Sequence, residues 1–176
     1  VLKGPNALIF GRGGSGGLIN RVSKQANGTT TRELALTFGS SRQNRATLDL
    51  GAAVTPALAY RVTALFEDAD SYRDDVTLRR YGVNPTVAWR IAPRTTLRAG
   101  VEHFHDARTA DRGVSSFQGR PVPAATATFF GDPAQSPTRA TVNTAYTIFD
   151  HAFAGRITLR NHTRLGGYEK FYQNIY

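Results

Sequence analysis

A glycine-rich stretch, residues 7–24 with the sequence ALIFGRGGSGGLINRVSK, carries the residue types and spacings that could do chemistry. Gly11, Gly13 and Gly16 match GxGxxG, the pattern in which a strand, a tight turn and a helix N-terminus hold the pyrophosphate of a dinucleotide. Glu33 follows at a distance that suits an acid contacting the ribose. The first possibility is therefore a dinucleotide-binding site.

The same stretch matches GxSxG through Gly13, Ser15 and Gly17, which is the turn that presents the nucleophilic serine of many hydrolases. Both patterns require a helix directly after the glycines and alternating strands and helices beyond it. The residues that follow, GLINRVSKQANG, are short and partly β-branched, which disfavours such a helix. We therefore interpret the stretch as strand, glycine turn and strand, and a serine hydrolase using Ser15 remains an alternative.

Two of the four histidines, His103 and His105, could form a metal site because residues two apart share one face of a strand. The sequence offers no third ligand beside them, and the absence of cysteine removes disulfides and thiolate ligands. We predict no metal bound directly by the protein and no catalytic residue.

The elements that must position these residues are strands, because apolar residues recur at every second position from Glu33 onward. This period predicts strands at 33–39, 45–54, 58–67, 80–92, 95–106, 142–153 and 156–168. In the sixth of them the parity changes, with Tyr146 and Ile148 on one face and Phe149 and Phe153 on the other, and we expect a bulge there.

The connections between these strands alternate strictly in length. Short links at 55–57, 92–94 and 154–155 alternate with longer ones at 39–44, 70–77 and 107–141. In an up-and-down antiparallel sheet this order puts every short turn at one end and every long loop at the other, as in outer-membrane barrels. A soluble barrel or sandwich would also alternate, but its strands average about five or six residues, and these run to about twice that length.

The charged residues indicate which face of the strands is buried. Six arginines alternate with the apolar positions and cannot lie in a dry core: Arg61, Arg90, Arg98, Arg156, Arg160 and Arg164. The apolar faces must therefore meet lipid while the arginines line a wet or plugged lumen. The sequence predicts an all-β fold, part of a transmembrane antiparallel up-and-down β-barrel.

Composition narrows the class of protein further. The 176 residues carry a net charge of +9 and no run of about 18 apolar residues, which excludes a helical membrane protein. The charge by itself suggests an anionic partner, including a nucleic-acid-binding barrel as an alternative. Because the arginines are spread along the chain, we expect them to pair with carboxylates and predict no nucleic acid. The chain begins at Val1 and contains no methionine, so we expect a piece of a longer protein.

Residues 1–24, VLKGPNALIFGRGGSGGLINRVSK, resemble the end of the plug domain of TonB-dependent outer-membrane receptors, and most closely the ferric-siderophore receptors. YRVTALFEDADSYRD, DRGVSSFQGRPV, TFFGDP and LRNHTRLGGYEKFYQNIY also resemble barrel segments of these receptors. The match departs at Ser15, where the family often has proline, and at Phe10, where tyrosine is common. The resemblance implies that residues 1–27 end the plug, 28–32 form a linker, and 33–176 form about seven strands of an expected 22.

The resemblance also implies location, ligand and partners. The protein would lie in the outer membrane of a Gram-negative bacterium, in contact with lipid, and would import a ferric siderophore with energy from TonB, which acts with ExbB and ExbD. The segment that contacts TonB is outside this sequence. Iron would arrive as a siderophore chelate, so no cofactor is expected to be bound directly. A receptor for cobalamin, heme or a glycan remains an alternative.

The glycine motif then becomes part of a ligand site. Phe10, Gly11 and Arg12 match a plug apex that faces the ligand, where glycine permits close approach and arginine offers a planar cation. Arg12 could instead pair with a carboxylate of the barrel wall. The outer loops add a second set of candidates that could equally pack the loops together: Tyr72, Arg73, Phe117, Arg120, Phe129 and Phe130. We expect that the chain does not fold alone, because an unclosed sheet exposes both edges.

Overall fold

A computed structural model describes residues 22–175 of the chain. In these residues seven long strands form one antiparallel sheet, and two short strands form a separate hairpin. The strands are β1 (Thr31–Phe38), β2 (Asn44–Thr55), β3 (Leu58–Asp70), β4 (Thr77–Ala92), β5 (Thr95–Thr109), β6 (Ser116–Phe117), β7 (Arg120–Pro121), β8 (Pro137–Ala152) and β9 (Thr158–Tyr172). The described part of the chain contains no α-helix. No helix found in residues 22–175 is long and apolar enough to span a membrane.

Each strand of the large sheet pairs with its neighbour in the chain, apart from the small β6–β7 hairpin, which is inserted between β5 and β8. The connections after β2 and β4 have two residues each, and the one after β8, residues 153–157, has five. At the opposite end of the sheet, residues 39–43, 71–76 and 110–136 connect the strands. The seven sequence-predicted strands are therefore present, but the strict alternation of lengths is not, because the connection after β8 is as long as the one after β1. We call the two ends of the sheet the short-turn end and the long-loop end.

Two details of the sequence prediction are wrong. β8 pairs residue by residue with both β5 and β9, so it contains no bulge; the register shifts lie instead between Ala53 and Thr55 and between Arg90 and Ala92, beside short turns. β9 begins at Thr158, so Arg156 lies in the turn before the strand and not on it.

The parity change in β8 has a different cause. Tyr146 and Ile148 lie on the same face as Asp150, and Tyr146 stands over Gly100 of β5. A Cβ atom on Gly100 would come 2.6 Å from Cε1 of Tyr146. The parity change therefore arises because an aromatic ring lies on the polar face, where a glycine on the neighbouring strand leaves room for it, and no bulge is needed.

Burial in the sheet is the reverse of that in a water-soluble domain. Among the described residues, the buried apolar side chains are four alanines, Ala26, Ala59, Ala69 and Ala110, whereas buried polar side chains include Asp49, Glu67, Glu102 and Asp106. The large apolar side chains of the opposite face are exposed, among them Phe66, Val87, Trp89 and Val101. We call these the polar face and the apolar face. Such an extended apolar face requires an apolar environment outside the chain.

Candidate functional site

The segment before β1 lies against the polar face of the sheet. Nζ of Lys24 is 2.6 Å from Oδ2 of Asp49 on β2, and the backbone N–H of Ala26 donates to Oγ1 of Thr86 on β4 at 3.0 Å. Ala26 is itself buried. The polar face therefore holds a stretch of the chain that precedes the sheet.

Several carboxylates on the polar face each bind two cations. Asp49 accepts hydrogen bonds from Nε and Nη2 of Arg61, both at 2.8 Å, in addition to its contact with Lys24. Glu67 on β3 accepts from Arg45 and Arg80 of the two neighbouring strands. This arrangement compensates buried charges and links adjacent strands.

The same pattern recurs between β5 and β9. Asp150 on β8 accepts from Nη2 of Arg98 at 2.6 Å and also from Arg160. The expectation that arginines of the polar face pair with carboxylates of the wall therefore holds for Arg61, Arg98 and Arg160. These arginines join neighbouring strands of the sheet. Candidate ligand contacts are therefore sought among other residues.

The long-loop end brings two loops together. The backbone N–H of Asp74, in the loop after β3, donates to the carbonyl oxygen of Ala127 at 2.8 Å. Arg73 is 8% exposed; its Nη1 donates to the carbonyl oxygen of Thr128 at 2.9 Å, and its Nε lies 3.0 Å from Oδ2 of Asp111. Residues 71–76 therefore pack against residues 110–136.

Tyr72 lies beside this contact, and its ring is exposed at the surface of the loops. Its side chain is exposed, and the guanidinium carbon of Arg73 lies 5.7 Å from the ring centroid. The two adjacent candidates thus have different environments, since Tyr72 is accessible at the long-loop end and Arg73 is enclosed by loop atoms.

Phe117 and Arg120 lie opposite each other in the β6–β7 hairpin. Gln118 and Gly119 form its turn with φ values of 51° and 74°, the left-handed pair that a two-residue type I′ turn requires. Both Phe117 and Arg120 are exposed. The hairpin therefore presents an aromatic ring and a cation side by side within the 110–136 loop.

Phe129 and Phe130 are partly buried in the returning half of the same loop. Gly131 beside them has φ +134°, and a Cβ atom there would collide with the carbonyl oxygen of Ile175. The N–H of Ile175 donates to Oγ of the fully buried Ser136 at 3.2 Å. This half of the loop is packed against the residues that follow β9.

Several residues of this loop packing escape sequence reasoning. Asp111, Thr128 and Ser136 hold the loops, but each acts through a partner distant in the chain. Only Asp111 carries a local signal, since its Oδ1 accepts from the N–H of Gly113, the side-chain turn that an Asp two residues before a Gly predicts.

The candidates in the glycine-rich stretch, Phe10, Gly11, Arg12 and Ser15, lie outside the described residues, as do the rest of residues 1–21. Their assignment therefore stays a prediction.

The two histidines lie on the apolar face toward the long-loop end. Nδ1 of His103 is 2.7 Å from Oδ1 of Asn143, and Nδ1 of His105 is 3.0 Å from Oγ1 of Thr141, so both rings bridge β5 and β8. Within residues 22–175 no three or more His, Cys, Asp or Glu side chains are grouped to hold a metal ion. The observed partners give the histidines a role in joining strands.

Curated relatives of the chain are receptors. The metal-pseudopaline receptor CntO of Pseudomonas aeruginosa is 29% identical over 175 residues, which are 96% of this chain and 25% of that receptor. The catecholate siderophore receptor Fiu of Escherichia coli is 30% identical over 179 residues, 93% of this chain and 23% of that one. The chain is homologous to TonB-dependent siderophore receptors. It spans about a quarter of the length of these relatives, and no protein-family model matches it.

Solved structures of siderophore receptors share the fold. The closed-form crystal structure of Fiu matches with a TM-score of 0.83 and 27% identity, over 98% of this chain and 26% of that chain. The siderophore receptor PiuA from Acinetobacter baumannii matches with a TM-score of 0.84 at 20% identity, over 96% of this chain and 25% of that one. The all-β fold is thus confirmed, as antiparallel sheet of the kind found in the barrels of these receptors, with the barrel not closed in this chain.

The homology also bears on the interpretation of the glycine-rich stretch as an enzyme site. The homologues of this chain are transport receptors and not enzymes. The receptor homologue therefore gives no support to a hydrolase using Ser15.

Proposed function

We propose that the chain is part of an outer-membrane receptor of a Gram-negative bacterium that binds a ferric siderophore and imports it with energy supplied by TonB. One observation carries this proposal: a sheet with buried, ion-paired carboxylates on one face and exposed large apolar side chains on the other is homologous along nearly its whole length to siderophore receptors. Such a distribution suits a wall with a polar lumen and a lipid-facing exterior.

We propose the same division of the chain that the sequence suggested, with the end of a plug in residues 1–27, a linker in 28–32 and barrel strands in 33–176. The contacts of Lys24 with Asp49 and of Ala26 with Thr86 support a preceding segment held against the lumenal wall. β1 begins at Thr31, two residues before the proposed barrel boundary. TonB, acting with ExbB and ExbD, would engage a part of the receptor outside this chain.

Membrane lipid is the proposed partner of the apolar face. A shallow groove of about 430 Å³ on this face is lined by small and apolar side chains, including Val87, Ala99, Val101, Ala145 and Leu165. Its apolar lining suits a hydrocarbon chain. Outer-membrane relatives with the same fold make the outer membrane the proposed location.

The ligand site is proposed at the long-loop end. Tyr72, Phe117 and Arg120 are the exposed loop candidates, and they combine aromatic faces with a permanent cation, which suits an anionic ferric chelate. Phe129 and Phe130 would support the loop from behind. Phe10, Gly11 and Arg12 would complete the site from the plug, and iron would be cargo held by the siderophore.

Binding by the purified full-length receptor tests this proposal. Catecholate and hydroxamate ferric siderophores, cobalamin, heme and oligosaccharides are titrated in one panel, with isothermal titration calorimetry as the readout. We expect saturable binding of one ferric chelate, and loss of affinity in Phe117→Ala. Binding of cobalamin, heme or a glycan with no response to any ferric chelate would contradict the proposal.

A further inference from the structure

Arg73 contacts the long loop on both sides of the β6–β7 hairpin. Its Nε faces Asp111, which precedes the hairpin, and its Nη1 donates to the carbonyl oxygen of Thr128, which follows it. One side chain therefore bridges the two stems from which residues 112–127 extend. The bond from Asp74 N–H to the Ala127 carbonyl oxygen adds a second link to the returning stem.

The bridge combines an ion pair with a hydrogen bond: Nε of Arg73 lies within ion-pair distance of Oδ2 of Asp111 but makes no hydrogen bond, whereas Nη1 donates to the Thr128 carbonyl oxygen. The Arg73 side chain is 8% exposed and that of Asp111 is 24% exposed, so water screens the pair poorly. Removing one partner of such a pair leaves a charge without compensation. A second ion pair near the same end of the sheet, Arg79 with Asp68, is much more exposed. Its Nη2 and Oδ2 atoms are 3.6 Å apart, and the two side chains are 66% and 40% exposed. Such an exposed pair contributes little to the free energy of folding.

The loop is anchored at its base and, on the outgoing stem, by Arg112, whose Nε donates to the hydroxyl of Tyr172 on β9 at 2.9 Å. Ala110 N–H donates to the carbonyl oxygen of Ser136 at 2.7 Å, and Asn174 Nδ2 donates to the carbonyl oxygen of Ala110 at 2.7 Å. These bonds hold the start and the end of the loop beside the strands. Arg112 holds the outgoing stem alone, whereas the contacts of Arg73 reach both stems and so set the distance between them.

We propose that Arg73 is a positioning residue that clamps the base of the 112–127 excursion and so fixes where the hairpin presents Phe117 and Arg120. It acts on the ligand through the loop and not by touching it. The consequence for ligand binding rests on the proposed function, whereas the clamp itself does not. Lysine would replace it only in part, because its single ammonium group lacks the fork that reaches Asp111 and Thr128 together.

A spin label on the hairpin measures the clamp without any ligand. The 176 residues contain no cysteine, so Ser116→Cys is labelled in a cysteine-free full-length receptor in outer-membrane vesicles. We expect Arg73→Ala and Asp111→Asn, which keeps the oxygen that accepts from Gly113, to shift the spectrum toward the mobile component, Arg73→Lys to shift it less, and the matched control Arg79→Ala to leave it unchanged. An unchanged spectrum in folded Arg73→Ala would overturn the proposal; if that variant does not fold, Asp111→Asn and Arg73→Lys give the same decision.

Chelate binding by the same variants gives the second readout. An unfixed loop must be ordered on binding, so the Kd of Arg73→Ala is expected to rise about tenfold while the uptake rate at saturating chelate stays unchanged. Loss of affinity with an unchanged spectrum would identify Arg73 as a direct ligand contact and overturn the proposal. If the spectra shift as expected but the unsubstituted receptor binds no ferric chelate, the clamp stands and the proposed function fails.

Discussion

Lys24 and Asp49 form an ion pair, with Nζ 2.6 Å from Oδ2, that joins the segment before the sheet to the polar face of β2. Asp49 also receives two hydrogen bonds from Arg61, so one buried carboxylate holds both a neighbouring strand and the preceding chain. The two cations differ in exposure, since the Lys24 side chain is 56% exposed and that of Arg61 is 18% exposed. This difference makes their contributions separable by mutation.

Asp49→Ala is expected to lower the free energy of unfolding by about 3 kcal/mol, because it leaves the partly buried Arg61 without its carboxylate. Lys24→Ala should cost about 1 kcal/mol or less, since the lysine is solvent-screened. Denaturant unfolding of the refolded receptor, followed by tryptophan fluorescence, measures both. Equal costs for the two substitutions would show that Asp49 does not act through Arg61.

Gly100 is expected to tolerate no larger side chain while Tyr146 stands over it. Gly100→Val should destabilise the sheet by about 1–3 kcal/mol, because a Cβ there already meets the Tyr146 ring and Cγ2 of Thr86. Adding Tyr146→Ala should recover part of the loss, which a double-mutant cycle on unfolding free energies detects. If the two changes in unfolding free energy were strictly additive, Gly100 would not be in packing contact with Tyr146, and the explanation of the parity of β8 would fail.

The apolar face should reject a charge according to its position along β5. Val101→Arg, near the middle of the strand, is expected to cost about 2–4 kcal/mol on folding into lipid vesicles, whereas Ala107→Arg on the same face near the long-loop end should cost about 0–1 kcal/mol. Folding titrations in phosphatidylcholine vesicles measure both values. A similar cost at the two positions would argue that this face does not lie in hydrocarbon.

Arg120 is expected to contribute to ligand affinity through its charge. Arg120→Ala should weaken binding of the ferric chelate about tenfold, because it removes a charge-assisted hydrogen bond at the exposed hairpin. Arg156→Ala is the matched control, since Arg156 lies in the turn between β8 and β9 at the short-turn end. Calorimetric titration compares the two variants. Equal affinity in both would remove Arg120 from the proposed site.

The fold was predictable because its signals are local and repeated. Alternation of apolar residues located the seven strands, and the lengths of the connections gave their order. The error in β8 arose because parity alone does not reveal that a tyrosine can lie on a polar face when Gly100 faces it from another strand. The early start assigned to β9 arose because Arg156 continues the alternation into the turn.

The ligand-binding role of the candidate residues stays a prediction, whereas the structure shows their different surroundings. Aromatic and cationic residues in long loops indicated the long-loop end, and the exposed hairpin carrying Phe117 and Arg120 agrees with a surface role. Arg73 and Tyr72 are adjacent and looked equivalent, yet a buried pairing with Asp111 separates them. Such pairings depend on how distant loops fold together, which local patterns do not encode.

Radioiron uptake tests the central claim most directly. The full-length receptor is expressed in a host that lacks its own siderophore receptors and is offered a panel of ferric siderophores, with and without a functioning TonB. The account predicts uptake of one chelate that disappears when TonB is absent. No uptake of any chelate, with the receptor shown to be folded in the outer membrane, would contradict it.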